Sequence, residues 1–200
     1  RKINTAHIKF LGDTGGLRIR GTNGTDEDRN VTLNFGARTS SGSGQAKGSL
    51  DATGGHPVDI KATTATLGRS SSTDQGVGNI GFDTGTIDIA TINMGVSTSP
   101  GGKTGNITNS GGFLIVSNMS MANQTGTSIA GTGNLYINTP GTVIVSNSIV
   151  KTTTAGVGNI IMTGGTLVVG SNIGVAGNAI DNLTVQDSTL TLPAGIVPSA

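Results

Sequence analysis

Gly78-Asn79-Ile80 returns along the chain as Gly105-Asn106-Ile107, Gly133-Asn134-Leu135, Gly158-Asn159-Ile160 and Asp181-Asn182-Leu183. The starts lie 27, 28, 25 and 23 residues apart, and a weaker copy, Gly48-Ser49-Leu50, stands 30 residues before the first. Self-similarity at such a period marks a stacked solenoid, in which each repeat buries its apolar face against its neighbours.

Each phrase opens a fixed pattern. Its third residue is Leu50, Ile80, Ile107, Leu135, Ile160 or Leu183, always apolar. Two residues further stand Ala52, Phe82, Asn109, Ile137, Met162 and Val185, with one polar lapse. Apolar residues two apart are the period of a half-buried strand. Turn residues follow, such as Asp83-Thr84-Gly85, Thr139-Pro140-Gly141 and Thr163-Gly164-Gly165, of the types that favour a bend. A second alternating pair comes next: Val58/Ile60, Ile87/Ile89, Leu114/Val116, Val143/Val145, Leu167/Val169 and Leu190/Leu192. A fainter third pair is Ile92/Met94, Met119/Met121 and Ile173/Val175. Three short strands per repeat predict an all-β chain, a right-handed three-sided parallel β-helix of about 6–8 coils. No 3.6-residue stripe competes, and Gly, Thr, Ser and Asn are too abundant for helices.

In-register stacking gives the Asn of each phrase a structural role. Asn79, Asn106, Asn134, Asn159 and Asn182 are expected to form a ladder, each amide donating to the carbonyl of the next.

A single domain over 1–200 is expected, with regular coils over 48–200. Residues 1–47 read as an irregular beginning. Ile8/Phe10 and Leu17/Ile19 match first and second strands, while Arg29-Asn30-Val31-Thr32-Leu33 looks like another Asn phrase with no second strand behind it. Residues 21–47 are therefore either a short coil or a loop inserted into coil one. The chain starts at Arg1 rather than Met, which reads as a processed or excised piece of something longer.

Composition narrows the function classes. With 34 Gly, five aromatics (4 Phe, 1 Tyr) and 12% charged residues, the chain is neither an ordinary α/β enzyme nor a Gly-X-Y collagen. A net charge of +1 argues against nucleic-acid binding, which requires clustered cations. No apolar run approaches the roughly 20 residues of a membrane-spanning helix. The absence of Cys permits an oxidising compartment and excludes thiolate-metal frameworks. Of 12 Lys and Arg and 11 Asp and Glu, only Lys151, Asp181 and Asp187 lie beyond residue 103. Such a surface repels its copies weakly. In the second strand the outward residue is Ile115, Ile144 and Val168 on neighbouring coils, an apolar stripe expected to contact a partner.

Candidate chemistry is sparse. Asp59 and Asp88 fall at equivalent positions on adjacent coils, one strand spacing of roughly 4.8 Å apart, and are the one carboxylate pair available for acid and base work on a polysaccharide. Lys61 and Arg18 project nearby, so a charged surface network explains the four equally well. His7 and His56 share no coil and read as lone surface histidines. Asp26-Glu27-Asp28 lacks a Ca²⁺-loop pattern and reads as a solvated turn. No metal site and no cofactor are expected.

The segments Gly141-Thr142-Val143-Ile144-Val145, Gly164-Gly165-Thr166-Leu167-Val168-Val169-Gly170 and Ser188-Thr189-Leu190-Thr191-Leu192, with the Gly-Asn-Ile/Leu openings, resemble the strand repeats of bacterial autotransporter passenger domains and filamentous adhesins. The likeness covers about residues 78–192. It implies a secreted or cell-surface, non-catalytic fibre module that associates with itself and meets host-surface or matrix glycans or proteins. A tailspike-like or lyase-like β-helix that binds or cleaves polysaccharide is the alternative.

Overall fold

The computed structural model describes residues 3–21, 29–38, 44–71, 73–98, 101–124 and 131–200. The first turn comprises β1 (Ile3–Lys9), β2 (Leu17–Ile19) and β3 (Thr32–Arg38). The second holds β4 (Gln45–Ala52) and β5 (Val58–Ser70), the third β6 (Gly76–Phe82) and β7 (Gly85–Ser97). The fourth holds β8 (Lys103–Asn109) and β9 (Phe113–Met121), the fifth β10 (Thr132–Asn138), β11 (Thr142–Val145) and β12 (Ile149–Lys151). The stack continues through β13 (Val157–Thr163), β14 (Thr166–Val169), β15 (Asn182–Gln186) and β16 (Thr189–Thr191). The chain is an all-β solenoid of parallel strands. Five turns carry strand on every side, slightly fewer than expected, because the last two lack a third strand among the described residues.

The first side is a seven-stranded sheet in the order β1-β4-β6-β8-β10-β13-β15. The other two sides share one sheet, since β5, β7 and β9 run unbroken round a corner. That corner is visible in the burial pattern. Inward and outward residues alternate along β5 until Thr63 and Thr64 both face out, after which Ala65 and Leu67 point inward. Ala90-Thr91 and Ser117-Asn118 repeat the device in β7 and β9.

The core is a bundle of apolar columns. Leu50, Ile80, Ile107, Leu135 and Ile160 stack in register and are all buried. Ile60, Ile87, Leu114, Val143 and Leu167 form a second column, and Ala65, Ile92, Met119 and Ile149 a third. Each fully buried Ile or Leu contributes about 1.5–3 kcal/mol. The polar lapse, Asn109, is buried without penalty. Its Nδ2 donates to the carbonyls of Gly112 and Thr142, both at 2.9 Å, and its Oδ1 accepts from the N–H groups of Gly111 and Gly112. One side chain thus satisfies all its own groups and ties down a turn.

Structure also explains the Gly of each phrase. In turns three and four it points inward at the corner where the third side of two turns before crosses the first. A Cβ on Gly78 would lie 2.4 Å from the Phe35 carbonyl oxygen, and one on Gly105 2.8 Å from that of Leu67.

Two expectations are corrected. Residues 29–38 are neither a phrase nor an inserted loop: β3 pairs with β5 from Thr32↔Thr64 to Arg38↔Ser70, so it is the third side of turn one. In turn two, Ile60 and Ala62 rather than Val58 and Ile60 align with Ile87 and Ile89. A two-residue slip keeps every side chain on its own face, so the apolar pattern alone could not choose between these registers.

Candidate functional site

The Asn ladder forms as expected. Asn106 donates to Asn79 at 2.7 Å, Asn134 to Asn106 at 2.7 Å, Asn159 to Asn134 at 2.7 Å and Asn182 to Asn159 at 2.6 Å. Ser49 and His7 continue the column upward and hydrogen-bond to each other. Replacing Asn134, which is buried, with Ala breaks two rungs and leaves both neighbours unsatisfied. The expected cost is about 1–3 kcal/mol, read from urea unfolding. An unchanged midpoint would show that the ladder contributes nothing to stability.

Asp59 and Asp88 are not stacked as expected. The same two-residue slip sets Asp59 opposite Arg18 and Thr86, and Asp88 opposite Lys61 and Ile115. The two carboxylates are diagonal neighbours, each engaged by guanidinium. Arg20 binds Asp59, with Arg18 Nε at 3.4 Å, and Arg29 Nη2 reaches the buried Asp88 at 2.6 Å. Arg29 belongs to turn one and Asp88 to turn three, so this pair clamps three turns together.

Ile115, Ile144 and Val168 lie in register on the outer face of the second side. Each is half-buried, shielded by the column neighbours above and below. Phe113, overlooked in the sequence because it follows the Gly111-Gly112 turn, stands in the adjacent outward column and is 51% exposed. It widens the stripe into a patch.

One of the two histidines differs from expectation. His7 is exposed, but His56 is buried and stacks on Phe10 with ring centroids 4.5 Å apart, closing part of the first turn's interior. Among the described residues no three His, Cys, Asp or Glu gather in a way that could hold a metal ion. The Asp26-Glu27-Asp28 segment lies outside them. No helix of the described residues is long and apolar enough to cross a membrane.

An ion pair near the far end, between a buried lysine and an exposed aspartate, escaped the sequence reading. Lys151 occupies the inward column below Met121 and is 4% exposed. Its Nζ donates to both oxygens of Asp181, at 3.0 and 2.9 Å, and the Gly158 N–H donates to the same carboxylate at 2.7 Å. Burial pushes the Asp181 carboxyl up, but the Gly158 N–H, the Lys151 hydrogen bond and the Lys151 charge together hold it below its ordinary value. A folded-state value below the unfolded one stabilises the fold at neutral pH. That contribution is complete above the ordinary 3.8 and is lost as pH falls through the lowered value. Lys151→Met restores the column chemistry of Met94 and Met121 but leaves the Asp181 carboxylate without its cation, so neutral-pH stability is expected to fall, while the drop in melting temperature on acidification shrinks. An equal acid-induced drop in both proteins would contradict this account.

The outer face of the first side carries a trough the sequence reading did not find. It has a volume of about 490 Å³ and crosses four turns, from Asp51 to Tyr136. Asp51, Gly81, Thr108 and Tyr136 follow one another in a single outward column. Nothing in a linear reading joins residues so far apart; only the register does.

No family model, curated protein or solved structure matches the chain.

Proposed function

We propose that the chain is a structural and adhesive module of a secreted or cell-surface fibre, of the autotransporter-passenger or filamentous-adhesin kind, which associates with its own copies and performs no catalysis. The observation that carries this reading is the apolar patch on the outer face of the second side. Ile115, Ile144 and Val168 lie in register on three successive turns, and Phe113 beside them is 51% exposed. Exposed apolar patches mark contact surfaces.

The low charge of the second half removes repulsion between copies, and the Phe113–Ile115–Ile144–Val168 patch offers a lateral contact. The guanidinium partners of Asp59 and Asp88 favour a clamp over acid–base work. Sedimentation velocity over a concentration series tests the reading, with Ile144→Lys as the comparison. Concentration-dependent assembly that Ile144→Lys abolishes is expected. A wild type that stays monomeric throughout would overturn it, and so would assembly that Ile144→Lys leaves unchanged.

A further inference from the structure

The trough on the first side has the features of a built binding surface. Its length is three strand spacings, roughly 14 Å between the Asp51 and Tyr136 backbones. Gly81 supplies the floor. A Cβ there would meet only the Thr53 methyl, at 3.7 Å, so the missing side chain leaves open space and relieves no crowding. This sets Gly81 apart from the phrase glycines, which the backbone of the neighbouring side excludes from bearing a side chain.

The far wall is Tyr136, the chain's single tyrosine. It is half-buried and places an apolar ring with a polar tip at the end of a polar groove. Along one flank run Asn79 and Asn106. Their amides have two donor hydrogens and two acceptor lone pairs each, and the ladder bond between them uses one donor of Asn106 and one acceptor of Asn79. Spare capacity therefore faces outward at each rung. At the near end the Asp51 carboxyl sits below its ordinary value, chiefly through the hydrogen bond from the Thr53 hydroxyl, and so presents acceptors only. No Lys or Arg lines the trough.

We propose that this trough binds a linear, neutral oligosaccharide whose sugar rings lie along the stack axis from Asp51 to Tyr136. The volume falls within the usual range of ligand sites, about 300–1,000 Å³. Pyranose rings combine an apolar face, suited to Tyr136, with hydroxyls suited to the Asn amides, Thr108 and the Asp51 carboxylate. Uronates, sulfated sugars and phosphates meet the Asp51 carboxylate, while Lys9, its neighbour in the column, lies one strand beyond the lining, and they are disfavoured. The proposal deepens the adhesive part of the reading above and rests on it; the self-association part is independent of it.

The chain's own composition supplies the assay. With one Tyr and no Trp, intrinsic fluorescence reports on Tyr136 alone. Titration with hexamers of glucose, mannose and N-acetylglucosamine, alongside a galacturonate hexamer, is expected to give a saturable change for at least one neutral hexamer and a weaker one for the uronate. Gly81→Leu fills the floor without altering the melting temperature and is expected to weaken that binding by about tenfold or more. Tyr136→Ala, followed by calorimetry, is expected to weaken it similarly. No saturable response to any neutral hexamer up to about 10 mM, beyond the millimolar limit of useful affinity, would overturn the proposal. So would preference for the uronate, or binding that Gly81→Leu leaves intact. Sedimentation of the same samples separates the two readings, because Gly81 lies on the first side and its replacement leaves the second-side patch untouched.

Discussion

Leu135→Asp is expected to eliminate the folded protein. Leu135 is fully buried between Ile107 and Ile160 in the central column of the first side. An aspartate there finds neither water nor a cationic partner among these apolar neighbours. An unpaired buried charge costs several kcal/mol, against a total stability of about 5–15 kcal/mol for a typical domain. Because each turn packs on its neighbours, a break in the middle of the stack removes the packing that joins the turns on either side. Leu135→Met, a volume-conserving exchange, should cost less than about 1.5 kcal/mol. Circular dichroism and thermal melting distinguish the two variants. A cooperative wild-type melt from Leu135→Asp would mean that the register of the whole first side is wrong.

Gly68→Val is expected to have the next largest effect. Gly68 has φ of +66°, and a Cβ built on it lies 2.0 Å from the Thr104 carbonyl oxygen of the first side two turns on. A β-branched residue is a steric outlier in the left-handed region. Backbone strain of about 1–3 kcal/mol adds to overpacking of about 1–3 kcal/mol, for roughly 2–6 kcal/mol together. Gly36 and Gly95 hold the equivalent corner in adjacent turns, with φ of +59° and +60°. In the fourth turn the position is Ala122, at φ of 50°, and a Cβ on the facing Gly156 would come within 2.4 Å of its methyl. One methyl is accommodated there because the opposite residue carries none. Gly81→Ala, with no positive φ and open space around it, should be neutral or stabilising by about 0.4–1 kcal/mol. Equal urea midpoints for Gly68→Val and wild type would contradict the close approach of these sides.

What the sequence made legible follows from its anchors. The Gly-Asn phrase pins the first strands that carry it, because at Gly78 and Gly105 a crossing backbone leaves no room for a side chain and each Asn meets its ladder partners. Asn79 through Asn182 and the Leu50-to-Leu183 column were therefore readable residue by residue. The second strand has no such anchor. Val58, Ile60 and Ala62 alternate identically in two registers, and the true one separates Asp59 from Asp88. β3 was hidden for a similar reason: Arg29-Asn30-Val31 imitates the phrase, yet lacks the glycine that the first strands of turns two to six carry. The trough was invisible because its members are an absence, Gly81, and an isolated aromatic, Tyr136, joined only through three strand registers. Lys151 reads as a surface residue in isolation, and its burial depends on Asp181 taking the place of the phrase glycine in the following turn.

The central claim is that these turns stack in register along one axis. Diffraction from oriented films of the wild-type chain tests it most directly. A meridional reflection near 4.8 Å is expected, because every strand lies across the axis at one strand spacing from the next. Oriented films without that axial repeat would contradict it.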